Sequence, residues 1–350
     1  MPHLYLTAAS NESSMERGVF ITLGEESAVD FSLQNGLFGQ YLSPTPDNPS
    51  YRHYRTLADY GSLRQGDHVF LFQNRQIWYG GTVQGTSDSA SFIINGQQSP
   101  LGIRTDAPLA LDPTLQPSID KHEDGVFTVS SRDGDREFAQ PYLLQFDTNT
   151  ELSGTSVSSD AFYHRLSSKY ENPFPTNVLR DQTFTLMTPA ETDELLNAIM
   201  SEGTHTKQTG KCSLGRKRWF QSDDTVDKLS QRQAEAHLEA LLLANPSMRP
   251  EPYRTNTGVW CRQIPATPHK PNVDHVDIGV YDESSAVPST VLELKHSRAG
   301  SPAANQINRY AEWFDRLSEP SPMFGIIAPS FASTFEPALD VSVTTVAFDD

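Results

Sequence analysis

Three polar side chains stand inside apolar runs toward the C-terminal end, and their types and spacing suit one chemistry. Asp277 lies within Val276-Asp-Ile-Gly-Val-Tyr281, and Glu293 and Lys295 lie within Val291-Leu-Glu-Leu-Lys295. Residues two apart on a strand share a face and stand about 7 Å apart, so Glu293 and Lys295 must point the same way. Charges inside an apolar strand are costly unless something uses them. Two carboxylates converging with a lysine suit a hard cation, because Mg²⁺ takes one or two protein carboxylates and keeps its remaining positions for water and substrate phosphate. The lysine can then position or activate an attacking water while the metal offsets charge on the leaving phosphate. The plainer alternative is that both acids are exposed strand residues and Lys295 merely pairs with one of them. Glu-x-Lys triplets are common enough that the triplet alone does not decide.

More of the surrounding sequence fits the first alternative. After Lys295 the chain runs Arg298-Ala-Gly-Ser-Pro-Ala-Ala-Asn-Gln-Ile-Asn-Arg-Tyr-Ala-Glu-Trp313, in which Gln306 and Tyr310 are four apart and share one helix face. Upstream, Glu235 and Leu238 lie on a helix that ends at Asn245-Pro246, and Phe324-Gly-Ile-Ile-Ala328 supplies a further buried strand. Together these motifs resemble the PD-(D/E)XK nuclease superfamily, and specifically the C-terminal domain of NucS-type endonucleases, over about residues 230–330. The resemblance implies Asp277 and Glu293 as ligands of Mg²⁺ (or Mn²⁺), Lys295 as the water-positioning residue, Glu235 as an accessory carboxylate and Gln306 as a support for metal or phosphate. Tyr310 serves equally well as core packing. The sequence departs from the pattern at His275, where the closest relatives carry Arg, and in the longer loop from Asp282 to Ser289. Asp274 competes with Asp277 and Glu239 with Glu235; Asp277 and Glu235 are preferred. His296 points to the opposite face of a regular strand from Lys295 and reads as structural.

The elements that must position these residues follow from periodicity and punctuation. A helix is expected from Thr225 to Leu243, strands near Val259–Ile264, Val273–Tyr281 and Thr290–Leu294, a helix from Ala303 to Leu317 capped by Ser301-Pro302, and strands at Met323–Ala328 and Val341–Phe348. This half is therefore α/β, a central mixed sheet flanked by helices. From Leu4 to Phe146 the pattern is short apolar runs broken by Gly, Pro, Ser and Asn, which reads as mostly β. Val69 to Phe72, the turn Gln73-Asn74-Arg75 and the returning strand Ile77 to Val83 make a hairpin, and Pro141 to Phe146 makes another core strand. Thr188-Pro-Ala-Glu191 is a capping box opening a helix through Met200.

Leu63-Arg-Gln-Gly-Asp-His-Val-Phe-Leu-Phe with Ile77-Trp-Tyr-Gly-Gly-Thr-Val resembles the signature of PUA-like domains, which include EVE and YTH-like readers that hold a nucleobase between aromatic side chains. The resemblance implies a β-barrel-rich reader of nucleic acid or of a modified base over residues 1–200, with Trp78 and Tyr79 as stacking candidates, although aromatics at strand spacing also build cores. Residues 201–224 read as a basic linker whose Arg216, Lys217 and Arg218 could follow a DNA backbone or touch nothing; residues 225–350 form the nuclease-like domain, with Arg298 a further candidate for DNA contact. The expected class is α+β in two domains. The implied activity is metal-dependent hydrolysis of DNA phosphodiesters by a restriction or defence endonuclease. The rivals are a structure- or mismatch-specific repair endonuclease and a non-catalytic nucleic-acid-binding protein on a nuclease fold.

Composition bounds the possibilities without choosing among them. The 350 residues carry 27 Lys and Arg against 44 Asp and Glu, a net charge of −17. DNA affinity rests on cations that neutralise phosphates, so an acidic chain must concentrate its basic residues locally. No run of about 18 apolar residues is present, so no membrane span is expected. Two cysteines, Cys212 and Cys261, are too few for a disulfide framework, and a reducing, cytoplasmic setting in a prokaryotic or virus-infected cell is expected. A homodimer is compatible with the sequence.

Overall fold

A computed structural model describes residues 15–40, 58–59, 62–84, 91–93, 110–111, 118–121, 127–131, 134–138, 142–169, 184–210, 214–215, 231–244, 246, 249–251, 253–266, 274–317, 320–338 and 343–347. The chain is a mixed α+β protein built on two principal sheets.

The first sheet contains β1 (Gly18–Thr22), β2 (Leu37–Gln40), β3 (His68–Gln73), β4 (Gln76–Val83), β5 (Tyr142–Asp147), β6 (Thr155–Ser158), β7 (Phe184–Leu186) and β8 (Thr204–His205). Its main path is β7-β1-β3-β4-β5-β2, with β6 on β4, β8 on β6 and a ninth short strand, Ser91–Ile93, on β5. The expected hairpin is β3–β4, and Asn74 and Arg75 both have positive φ, 47° and 63°. That is the handedness a two-residue hairpin needs to match the twist of its strands. Gly81 is required where β4 meets β5, because a Cβ there would lie 1.7 Å from the carbonyl oxygen of Asp147. Helices α1 (Glu26–Asn35), α2 (Ser159–Lys169) and α3 (Pro189–Glu202) accompany this sheet. Thr188 and Glu191 form the capping box at the start of α3. Part of the stretch read as a linker is ordered here, since β8 extends the first sheet and Lys207 bonds to Glu26 and Asp30 on α1.

The second sheet carries the acidic cluster. It runs β9 (Val259–Pro265), β10 (His275–Tyr281), β11 (Thr290–Leu294), β12 (Met323–Ala328) and β13 (Val343–Ala347), in that spatial order. β9–β10–β11 are antiparallel, whereas β11–β12–β13 are parallel. α4 (Gln231–Ala244) precedes the sheet, and α5 (Ser301–Phe314) makes the crossover from β11 to β12. α5 buries Ala303, Ala304, Ile307, Tyr310, Ala311 and Phe314, a stripe at helical spacing whose larger members each gain roughly 1.5–3 kcal/mol from burial. Ser301 does not cap α5 as expected. Gly300 occupies the cap position with no side-chain bond, and the Ser301 hydroxyl donates instead to the carbonyl of Thr334.

The two sheets share one continuous core, in which Val19, Leu71, Trp260 and Ile278 belong to the same cluster. Their junction is polar as well as apolar. Arg262 on β9 donates to Asp59 through Nε and Nη2 at 2.9 and 2.6 Å, with both side chains at most 3% exposed. Nearby, the Cys261 thiol is fully buried, which pushes its pKa up, and it lies 3.5 Å from the Met187 carbonyl. No helix among the described residues is long and apolar enough to cross a membrane.

Candidate active site

β10 and β11 bring the two carboxylates together. Their register pairs Ile278 with Leu292 and Gly279 with Val291, so Asp277 and Glu293 are the next facing positions on the same side of the sheet. Regular pairing stops there. The Leu294 backbone N–H is taken by the Asp277 carboxylate, with Oδ2 accepting at 2.8 Å. The competing acid Asp274 is engaged elsewhere, bonded at 2.7 Å to Arg309 on α5. Asp277 is therefore the acid that faces Glu293.

Glu293 is 1% exposed. Lys295 donates to its Oε1 at 2.5 Å, and the Tyr310 hydroxyl lies 3.1 Å from Oε2 and 2.7 Å from the His275 carbonyl. Gln306 donates to the Tyr310 oxygen. Burial, and then the charge of Asp277, push the Glu293 pKa well above the ordinary carboxylate range; Lys295 and Tyr310 oppose this without overcoming it. Burial by itself would lower the Lys295 pKa, but Glu293, Asp277 and Glu235 reverse the balance and raise it. Lys295 is thus an ammonium at neutral pH. As an ammonium it can donate to a water or a phosphate oxygen.

Glu235, on α4, faces the same region and lies 3.4 Å from His296 Nδ1. The expectation that His296 turns away fails because the regular strand ends at Leu294, and with it the alternation of faces. Glu239, the alternative to Glu235, is buried and acts electrostatically on Arg262, so it belongs to the junction between the sheets. Gln306 reaches Glu293 only through Tyr310. Tyr310 is both core and site, a fully buried ring whose hydroxyl meets Glu293. Arg298 is exposed and donates to the Phe331 carbonyl at 3.2 Å.

Arg216, Lys217 and Arg218 lie outside the described residues. Tyr79 is 3% exposed, packs edge-on against Phe70 and bonds to His68. Trp78 is 6% exposed. It borders a cleft of about 570 Å³ that is also lined by Gln76, Ser156, Ser158 and Thr204. Lys207 Nζ stands 5.3 Å from the Trp78 ring centroid, so a base stacking on this indole would have to displace a lysine held by two carboxylates.

Sequence reasoning missed Arg309 and Gln263. Arg309 adjoins Tyr310, but its partner Asp274 is 35 residues away in sequence. Gln263 faces Asp277 across β9–β10 and donates to its Oδ1 at 3.4 Å.

The donor set fits a divalent cation. Asp277 and Glu293 are hard oxygen donors, and the raised proton affinity of Glu293 reflects negative charge crowded into a buried space that a cation would relieve. Among the described residues no group of three or more His, Cys, Asp or Glu is arranged to hold a metal. An ion here would rest on these two carboxylates and complete its shell with water and ligand oxygens. It would supply Lewis-acid stabilisation of a phosphoryl group. No known protein family, curated protein or solved structure matches the chain.

Proposed function

We propose that the protein is a metal-dependent endonuclease of the PD-(D/E)XK type, hydrolysing DNA phosphodiester bonds with Mg²⁺ or Mn²⁺. The observation that carries the reading is the convergence of Asp277 and Glu293 on facing positions of β10 and β11, with the Lys295 ammonium bonded to Glu293. The arrangement of α4, three antiparallel strands, the α5 crossover and two parallel strands supports the same reading. In it, Asp277 and Glu293 hold the ion, and Lys295 orients the attacking water and donates to developing negative charge. Tyr310 and Gln306 fix the Glu293 carboxylate. Glu235 and His296 stand beside Lys295, where they can order water.

A role in restriction or defence is proposed for the whole chain, with the first sheet and its helices as the part that reads DNA. Cleavage of modified and unmodified plasmids with Mg²⁺ or Mn²⁺, comparing wild type with Lys295→Ala, tests both levels. We expect wild type to cut and Lys295→Ala to lose on the order of 100-fold or more, the scale for removing one such donor. A preference between plasmids would support reading by the first half; equal cutting of both, with a preference for mismatched or branched DNA, would favour repair instead. Binding of DNA with no cutting by folded wild type on any of these substrates would make the protein a non-catalytic binder.

A further inference from the structure

Gln263 has a backbone that its place in the sheet does not call for. β9 and β10 keep one register from Val259↔Tyr281 to Pro265↔His275, which sets Gln263 opposite Asp277, yet this one position drops out of the ladder. The cause is local, since Gln263 has φ 54°. Among the described residues the other non-glycine positions with positive φ are Asn74 and Arg75, both in the β3–β4 turn where the geometry needs them. Gln263 sits within a strand, where an unbranched L-residue gains nothing from a left-handed backbone. Such a conformation persists when its surroundings over-determine it, and it tends to occur at functional sites.

Two sets of contacts surround this position. On the site side, the Gln263 amide donates to Asp277 Oδ1 at 3.4 Å while Leu294 N–H holds Oδ2 at 2.8 Å, so both oxygens of the carboxylate are held. On the other side, the preceding residue, Arg262, is gripped by Asp59 through two nitrogens in a pair that is almost wholly buried and 203 residues apart in sequence. The first half of the chain thereby fixes the backbone one residue away from the side chain that orients the site acid.

We propose that Gln263 is a positioning residue for Asp277, and that Asp59, through Arg262, holds it in place, so that the first half of the chain completes the geometry of the cation site. This rests on the nuclease reading above. It gives a physical route by which an event in the first half, such as DNA binding, alters cation affinity. The Asp59–Arg262 contact and the strained peptide at Gln263 are the parts that would move.

Mn²⁺ binding to the full chain, followed by titration calorimetry alongside thermal melting in chelator, tests the proposal. Gln263→Met keeps length and shape without the donor, and Gln263→Gly accepts the left-handed backbone without the donor. Both are expected to bind Mn²⁺ on the order of tenfold more weakly, the usual scale for losing a group that orients a ligand. Gln263→Gly should melt no lower than Gln263→Met. Asp59→Asn should weaken Mn²⁺ binding in the same direction and add little on the Gln263→Met background. If Asp59→Asn does not fold, Arg262→Lys makes the same comparison, keeping the charge but losing the two-nitrogen grip. Wild-type affinity in both Gln263 variants overturns the proposal. Lowered melting with unchanged Mn²⁺ affinity in Asp59→Asn overturns the role of the first half. A folded wild type that binds no Mn²⁺ sinks the nuclease reading together with this one, whereas a wild type that binds it beside unaltered variants sinks this one alone.

Discussion

Glu293→Gln is expected to stabilise the protein in chelator and, at the same time, to abolish its response to metal. Glu293 is 1% exposed, and burial together with Asp277 raises its pKa well above the ordinary range. Its ionised form is therefore disfavoured in the folded chain. Glutamine keeps the shape and an oxygen for Lys295 to bond. Replacing a whole buried ion pair by neutral groups of similar volume stabilises by up to roughly 1–4 kcal/mol, whereas removing one partner strands the other charge if that charge is buried. Lys295 is 20% exposed, so its ammonium still reaches water when the carboxylate becomes an amide, and the lower part of that range applies, about 1–2 kcal/mol. For a chain of this size that is a melting temperature higher by roughly 1–3 °C. The pH dependence has a definite sign. A carboxyl whose folded pKa lies above its unfolded one contributes stability that is complete below the unfolded value and is lost as pH rises through the folded value. Wild type and variant should thus melt together in acid below the ordinary carboxylate range, and the variant should gain on wild type as the pH is raised. With Mg²⁺ at about 100 times its dissociation constant, wild type should gain about 2.7 kcal/mol and the variant nothing. Scanning calorimetry from about pH 3 upward, with chelator or Mg²⁺, measures all of this. A variant that melts below wild type in chelator at pH 8 would refute the reasoning, because Glu293 would then be stabilising the fold through its pair with Lys295.

Tyr310→Phe keeps the ring in the core but removes an oxygen shared by Glu293, His275 and Gln306. We expect it to cost about 1–3 kcal/mol in urea unfolding, as stranded buried polar groups do, and to weaken Mg²⁺ binding; a loss below about 0.5 kcal/mol would show that water replaces the hydroxyl. Residues 225–350 expressed alone should give no cooperative melt by circular dichroism, because Trp260, Cys261 and Arg262 are buried in the whole chain and the last two meet Met187 and Asp59. A sharp transition in that fragment would mean the second half carries a sufficient core of its own.

The second sheet was legible because its strands are nearly continuous apolar runs. The observed β9, β11 and β12 fall within a residue of the expected strands, β10 begins at His275, and β13 lies inside the expected strand, whose remaining residues fall outside the described ones. The acids could be found for the same reason: Asp277 and Glu293 interrupt those runs. Contacts that join distant segments left no local mark. Val259-Trp-Cys-Arg-Gln-Ile-Pro265 shows a polar pair in an apolar stretch, but neither the left-handed backbone of Gln263 nor the partner of Arg262 can be read from it. Alternation misplaced His296 because it presumes a strand that continues past Leu294. Trp78 and Tyr79 were visible as aromatics on a strand, but whether such a ring is buried depends on what packs across it, here Lys207 for Trp78 and Phe70 for Tyr79.

The charge of the chain can be reconciled with a phosphodiester substrate at the level of the site. At −17 overall, long-range attraction opposes DNA. The cations around the cluster are largely committed, Lys295 to Glu293 and Arg309 to Asp274. Asp277, Glu293 and one phosphodiester against one ammonium leave an excess of two negative charges, which a single divalent ion cancels. Glu235 adds another, and two groups stand ready to meet it: His296 when protonated, and the exposed Arg298, which pairs with no carboxylate among the described residues. On this account the ion is needed for the phosphate to enter as well as for chemistry. Association with nucleic acid and cleavage of it would then share one metal requirement.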